Sequence, residues 1–299
     1  MFNQYFGNYL LEKKIIRPEE LRQVLEEQKS VKVKLGVLAI DSGYMNAAQV
    51  DRIHKLQAAR DQKFGELALE EGYLTQEQLG GLLHAQKRSN VLLGQILIEK
   101  GLFSLEKYEE VMLQYRQDSR LTDEEIEALK NSDVKKIADT FLKTLPGEPD
   151  ERLHEYLELF IRNLVRFIDG EIRVETAKDT DSFSFDYLVW QPVEGDQTFF
   201  SGFAASEAVL SKFASIYADE TLTRMDEVAK DSLGEFLNCQ NGLFLSHLSN
   251  KGIELELLPG EVKQNGSLLK ATEKLVIIPC HLSFGKIDFL FADGLPYFA

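Results

Sequence analysis

Asp231, Glu235 and Asn238 are the residues of this 299-residue chain whose types and spacing could do chemistry together, in the stretch KDSLGEFLNCQNG from Lys230 to Gly242. On a helix turning about 100° per residue, Glu235 lies roughly +40° and Asn238 roughly −20° from Asp231, so the three share one stripe. Ala229, Leu233, Phe236 and Leu237 gather on the other side, roughly 140–240° away, and an apolar side must face a core. The stripe therefore faces outward. Asp231 and Glu235 repel at i,i+4, and Gly234 weakens the helix by up to roughly 1 kcal/mol relative to Ala, so helix stability does not select these residues. On spacing alone, a carboxylate and a carboxamide one turn apart and turned away from the core read first as an ordinary solvated acidic face, with chemistry on another protein as the alternative.

The elements around the stripe read as an α+β domain over residues 150–299. ERLHEYLELFIRNLVRFID (151–169) is strongly amphipathic at the helical period. The period then switches to two in EIRVETA, SFSFDYLVWQPV and QTFFSGFAA, which predicts antiparallel strands with a turn at Gly195-Asp196. SEAVLSKFASIYADE is a helix with Ser206 as N-cap, and DEVAKDSLGEFLNCQNG is the next. GIELELLPG, EKLVIIPCHL and GKIDFLFADG predict three more strands. The expectation is a largely antiparallel sheet of about five to seven strands with about three helices on one face.

Asp231, Glu235 and Asn238, followed by Pro259 and with Gly242 closing E-F-L-N-x-x-x-G, resemble the signature of the CheC/CheX/FliY family of chemotaxis phosphatases. The order of elements from 150 to 299 is similar too, and a single copy of the motif makes it most CheX-like. The resemblance implies a substrate, the phospho-aspartate of a CheY-like response regulator, which brings its own divalent metal and a lysine. Asn238 would hold the attacking water through amide donor and acceptor together. Glu235 would pair with the receiver's lysine, while Asp231, Gly242 and Pro259 would serve docking. It also implies a homodimer through this domain, and no cofactor of its own. A chain that kept the fold without the activity, a two-domain scaffold binding a receiver or a motility or secretion component, is the alternative reading.

The first 118 residues repeat. Gly7, Gly36, Gly65 and Gly94 each follow a large apolar residue at a spacing of 29, and Lys14, Gly43, Gly72 and Gly101 each come seven residues later. Leu21, Val50, Leu79 and Tyr108 mark matched places in the second half of each repeat. Gly101 suits a left-handed C-cap; Asn46, Ser104 and Thr75 with Gln78 suit N-caps, and Pro18 a first helical turn. The expectation is about eight short helices in four stacked hairpins, each too small to bury its apolar face alone. The two middle repeats, KLGVLAIDSGYMNAAQVDRIHKLQ and KFGELALEEGYLTQEQLGGLLHAQ, resemble the N-terminal domain of type II secretion and type IV pilus assembly ATPases. That resemblance implies a possible cyclic di-GMP site at Lys34, Leu35, Gly36, Gly43, Gln57, Lys63, Phe64, Gly65, Gly72 and Gln86. Lysine is a point charge that stacks and forks less well than arginine, so a docking or dimerisation module is the other reading of these residues. No GxxxxGK[ST] loop follows. Residues 119–149 read as a helical linker broken by LPGEPD.

Composition narrows the classes further. A net charge of −15 argues against nucleic acid and anionic membrane surfaces. No apolar run reaches the roughly 20 residues of a membrane span, and the N-terminus does not read as a signal peptide, so a cytoplasmic protein is expected. Two cysteines, Cys239 and Cys280, make no disulfide framework and read as buried thiols. Five scattered histidines without a CxxC or HxxxH pattern predict no metal site.

Overall fold

In the computed structural model the described residues are 1–27, 34–60, 62–88, 93–119, 121–146, 151–270 and 274–299, with only the backbone described at 26–27, 58–60 and 84–88. They divide into two compact units, residues 3–124 and residues 1–2 with 125–299.

The first unit carries eight helices: α1 (Phe2–Glu12), α2 (Pro18–Glu27), α3 (Leu35–Asp41), α4 (Ala47–Arg60), α5 (Phe64–Glu70), α6 (Gln76–Arg88), α7 (Leu93–Glu99) and α8 (Leu105–Asp118). Their ends follow local chemistry. Thr75 Oγ1 accepts from the Gln78 amide at 3.2 Å while Gln78 Oε1 accepts from the Thr75 amide at 2.8 Å, a reciprocal cap that Asn46 and Gln49 repeat at 2.8 and 2.9 Å. Lys14, Gly43, Gly72 and Gly101 all have positive φ, between 56° and 71°, so lysine takes in the first hairpin the left-handed turn that glycine takes in the others. A methyl group on Gly7, Gly36, Gly65 or Gly94 would meet Leu21, Val50, Leu79 or Tyr108, 14 positions on in each case. Those glycines let the two helices of a hairpin approach closely. The hairpins do not pack in chain order. Gly7 lies against Leu93, and Phe6 meets Tyr108 and Tyr115 edge-on, so the first hairpin sits on the fourth. Gly36 lies against Phe64, which joins the second to the third.

α9 (Asp123–Asn131) and α10 (Val134–Leu142) follow. The sequence suggests a linker here, yet α10 belongs by contact to the second unit: His154 pairs with Asp139 at 2.7 Å, and the Ala177 amide donates to Phe141 O at 2.9 Å.

The second unit is α+β. Helix α11 (Glu151–Phe167) precedes strands β1 (Arg173–Val174), β2 (Lys178–Asp179), β3 (Ser182–Gly195) and β4 (Phe199–Ala205). Helices α12 (Glu207–Ala218) and α13 (Glu227–Ser249) come next, then β5 (Leu255–Leu257), β6 (Glu261–Leu269), β7 (Leu275–Leu282), β8 (Gly285–Asp293) and β9 (Tyr297–Phe298). The strands form one sheet in the order β1-β7-β8-β4-β3-β6-β9, with β2 on β7 and β5 on β3, and every pairing is antiparallel. Alternation sorts the two faces. Phe199 and Phe203 of β4 and Phe289 and Phe291 of β8 meet Tyr156 and Phe160 of α11, Phe213 of α12 and Phe236 and Phe244 of α13 in a shared aromatic core. Leu188, Phe200, Ala204 and Leu290 build a second apolar cluster on the reverse face, flanked by Trp190.

Three expectations are corrected and one strand is added. EVKQNGSLL is the added strand, β6; Asn265-Gly266 is a common turn pair, but Asn265 takes a φ of 51° and the pairing with β3 skips it. The first expected strand is only the two-residue β1. Helix α13 does not stop at Gly242 but runs to Ser249, because Phe244 and Leu248 continue its buried face. Ser206 does precede α12, but its side chain makes no capping bond.

His281, on β7, shares a 2.8 Å hydrogen bond with Glu175. Burial, then the Arg173 guanidinium, hold its imidazole below the ordinary value against the pull of Glu175. A histidine depressed in the folded state stabilises the fold above the unfolded pKa near 6.5, and that share is lost as pH falls below it. The urea midpoint is expected to drop between pH 7.5 and 5.5, and to drop less in His281→Gln.

Candidate functional site

Helix α13 positions the stripe. It starts at Asp226, whose carboxylate accepts from the Ala229 amide at 3.1 Å, and its inner side is closed: Ala229, Leu233, Phe236 and Leu237 are at most 2% exposed. Asp231, Glu235 and Asn238 are exposed on the outer side. Together with Pro259, all three line one cleft of about 640 Å³, walled by α13 on one side and by β3 and the β5–β6 turn on the other. Gly242 lies outside this cleft, exposed one turn further along α13, with nothing within 4 Å of where a Cβ would stand.

The cleft is acidic. Asp231, Glu235 and Glu261 line it with Lys230, whose ammonium is already paired with Glu227 at 2.8 Å. Glu261 pairs with Lys263 at 3.2 Å. Among the described residues, Asp231 and Glu235 have no hydrogen bond or ion pair, so their carboxylates are available to a cation from outside. Burial, with Glu235 adding to it, pushes the Tyr217 phenol up. Val228 and Leu243, about half exposed at 51% and 48%, add apolar area to the same helix.

Asn238 differs from its two neighbours. Its Oδ1 accepts from Gln191 Nε2 at 3.3 Å, while its Nδ2 has no acceptor among the described residues. Behind it lies a buried polar network that the sequence reading misses. Asn241 Nδ2 donates to Gln191 Oε1 at 2.8 Å, and Asn241 Oδ1 accepts from the hydroxyls of Ser201, at 3.0 Å, and Tyr156. Asn163 Nδ2 donates to Gln240 Oε1 at 2.6 Å, and Gln240 Nε2 to the Tyr156 carbonyl at 3.4 Å. Burial pushes the Tyr156 phenol up and keeps it a donor. A signal existed: Gln191 alternates with Val189 and Val193 on the core face of its strand, where an amide must find partners.

Cys280 is buried, and burial pushes its thiol up, with the charges of Asp288 and Glu175 adding to the shift. Cys239 is only half-buried, contrary to expectation, because it sits on the flank of α13 beside Asn238. A thiol reagent is expected to label about one cysteine per native chain, Cys239, and both after denaturation. Fast labelling of Cys280 in the native protein would contradict the packing of β7.

The ten N-terminal positions are spread over packing roles. Gly36 and Gly65 are filled against Val50 and Leu79, and Phe64 packs 5.6 Å from the His54 ring. Lys34 pairs with Glu99 at 2.7 Å, Gln57 donates to the Gln62 carbonyl at 3.3 Å, and Lys63 is exposed. Leu35 is half-buried, and Gly72 holds its left-handed turn. Among the described residues of the ten, Gly43 alone lines the cleft of about 390 Å³ formed with Tyr44, Glu109 and Arg116. The Gln86 side chain lies outside the described residues.

No family model matches the chain, and no curated protein matches it. Solved structures do. CheX from Desulfovibrio desulfuricans is 13% identical over 48% of this chain and 99% of its own, with a TM-score of 0.43. A CheC-like superfamily protein from Shewanella sp. PV-4 is 18% identical over 48% of this chain and 99% of its own, also at 0.43. The CheX–CheY–BeF3–Mg complex from Borrelia burgdorferi matches at 16% identity, over 48% of this chain and 98% of that one, at 0.40.

Proposed function

We propose that the second unit dephosphorylates the phospho-aspartate of a CheY-like receiver domain by inserting the outer side of α13 into the receiver's acyl-phosphate pocket. The observation that carries this reading is the gathering of Asp231, Glu235, Asn238 and Pro259 on one open, acidic cleft while the opposite side of α13, with Ala229, Leu233, Phe236 and Leu237, is sealed into the core. Glu235 has no partner of its own among the described residues, which suits a carboxylate that pairs with a cation of the receiver and sets the docking register. Asn238 offers amide hydrogens and a remaining oxygen lone pair at an exposed tip, the groups that orient a water beside a phosphoryl group. Neither residue gains or loses a proton in this scheme. The resemblance of the motif to the CheC/CheX/FliY signature supports the same reading. Gly234 and Gly242, without side chains, leave room for a partner's backbone along the helix.

The experiment is direct. Receivers from the same organism, phosphorylated with a small acyl-phosphate donor and freed of it, are followed with and without the protein. At least one is expected to lose its phosphoryl group faster with the protein at substoichiometric amounts. If every receiver keeps its intrinsic decay rate, the hydrolase reading is wrong.

A further inference from the structure

The buried network behind Asn238 has a direction. Leu258 O is a carbonyl and can only accept, so the Gln191 group that bonds it at 2.9 Å is the NH2. Gln191 Oε1 must then point the other way, where Asn241 Nδ2 donates to it. Asn241 is oriented in turn, because only its NH2 can donate to that oxygen, and its own oxygen then accepts from the hydroxyls of Tyr156 and Ser201. At the far end the same Gln191 NH2 meets Asn238, so the Asn238 oxygen is the atom turned inward. One side chain, 4% exposed, thus ties together α13 and the carbonyl just before Pro259, the two walls of the cleft.

We infer that Gln191 is a positioning residue: it locks the Asn238 amide with its NH2 facing the cleft and holds the Pro259 wall at a set distance from α13. This rests on the phosphatase reading for its consequence in rate, but not for its geometry. Anchoring at Oδ1 leaves Asn238 one oxygen lone pair and both amide hydrogens, which divides its tasks: the hydrogens serve an anionic oxygen of the bound group, the lone pair serves a water hydrogen. A freely rotating amide would present the reverse arrangement about as often and would lose the benefit of being held ready.

The test pairs nitrogen-15 relaxation with kinetics on the full chain. In the wild-type protein the Asn238 side-chain amide is expected to be nearly as ordered as that of buried Asn241, and far more ordered than that of exposed Asn250. Gln191→Glu keeps an acceptor for Asn241 but turns an acceptor toward Asn238, and is expected to shift the Asn238 amide signals and reverse the group. Gln191→Met removes all three contacts, to Asn238, Leu258 and Asn241, and is expected to free it. With a receiver that the wild type dephosphorylates, each folded variant is expected to lose about tenfold or more in kcat with little change in KM. A merely structural defect would instead lower stability without selecting kcat. If Asn238 is as mobile as Asn250 in the wild type, or if its signals and kcat are unmoved in a folded variant, the inference is overturned. The wild-type relaxation result decides the matter even if neither variant folds. Should no receiver be a substrate, the phosphatase reading fails while the relaxation data still judge Gln191.

Discussion

Glu235→Ala and Asn238→Ala are each expected to slow dephosphorylation of a receiver by about a hundredfold while leaving the fold intact. Both side chains are exposed, so the stability change should stay within about 0.5 kcal/mol. Glu235→Ala also removes the like-charge pair with Asp231 one turn away, which favours the helix slightly. Asn238→Ala loses one 3.3 Å hydrogen bond to Gln191 but gains helix propensity. The two losses should not multiply in the double variant if both residues act on one docked geometry. Circular dichroism and urea titration give the stability side, and phospho-receiver decay gives the rate. Activity that survives in both single variants would remove the stripe from the chemistry.

The second large effect belongs to the helical unit. A methyl group on Gly94 would stand 2.1 Å from Tyr108 Cε2 and 2.4 Å from Cζ. Tyr108 is 1% exposed and cannot swing away freely: its ring lies edge-on to Phe6 at 6.2 Å, and its hydroxyl reaches Asp41 at 3.5 Å. Gly94→Ala is therefore expected to cost this unit about 2–3 kcal/mol, and Gly94→Val more. The other hairpins indicate the remedy, since Leu21, Val50 and Leu79 occupy the place of Tyr108. In a double-mutant cycle, Gly94→Ala with Tyr108→Leu should recover part of the loss, a coupling of about 1 kcal/mol read from urea midpoints. Gly72→Ala, with nothing within 4 Å, meets only the strain of its φ of 71° and should cost about 1 kcal/mol. Equal losses at Gly94 and Gly72 would contradict the close approach of α7 and α8.

What could be read from sequence was whatever depends on near neighbours along the chain. The outer and inner sides of α13 follow from the helical period, and the caps at Asn46, Thr75 and Ser104 from residues three positions apart. The alternation of β3 and β4 carried the α+β class. What escaped depends on distant partners. β6 contains Gln264-Asn265-Gly266, a local turn signal overridden by pairing with β3, more than seventy residues earlier. Gly242 looks like a helix stop, but Phe244 and Leu248 have a core waiting for them. Gln191 and Asn241 are 50 positions apart, and neither polar residue reveals its partner until strand and helix are packed. The seating of the first hairpin on the fourth is likewise a matter of which surfaces fit, because matched repeats offer nearly the same apolar faces to one another.

The most direct measurement is an NMR titration of the full chain with a receiver carrying beryllofluoride, a phosphoryl analogue, and with the same receiver left unmodified. The side-chain amide of Asn238 and the backbone amides of Gly234, Glu235 and Gly242 are expected to shift with the modified receiver and to stay in place with the unmodified one. If the modified receiver binds elsewhere and leaves α13 unperturbed, the outer side of that helix is not the working surface and the account is contradicted.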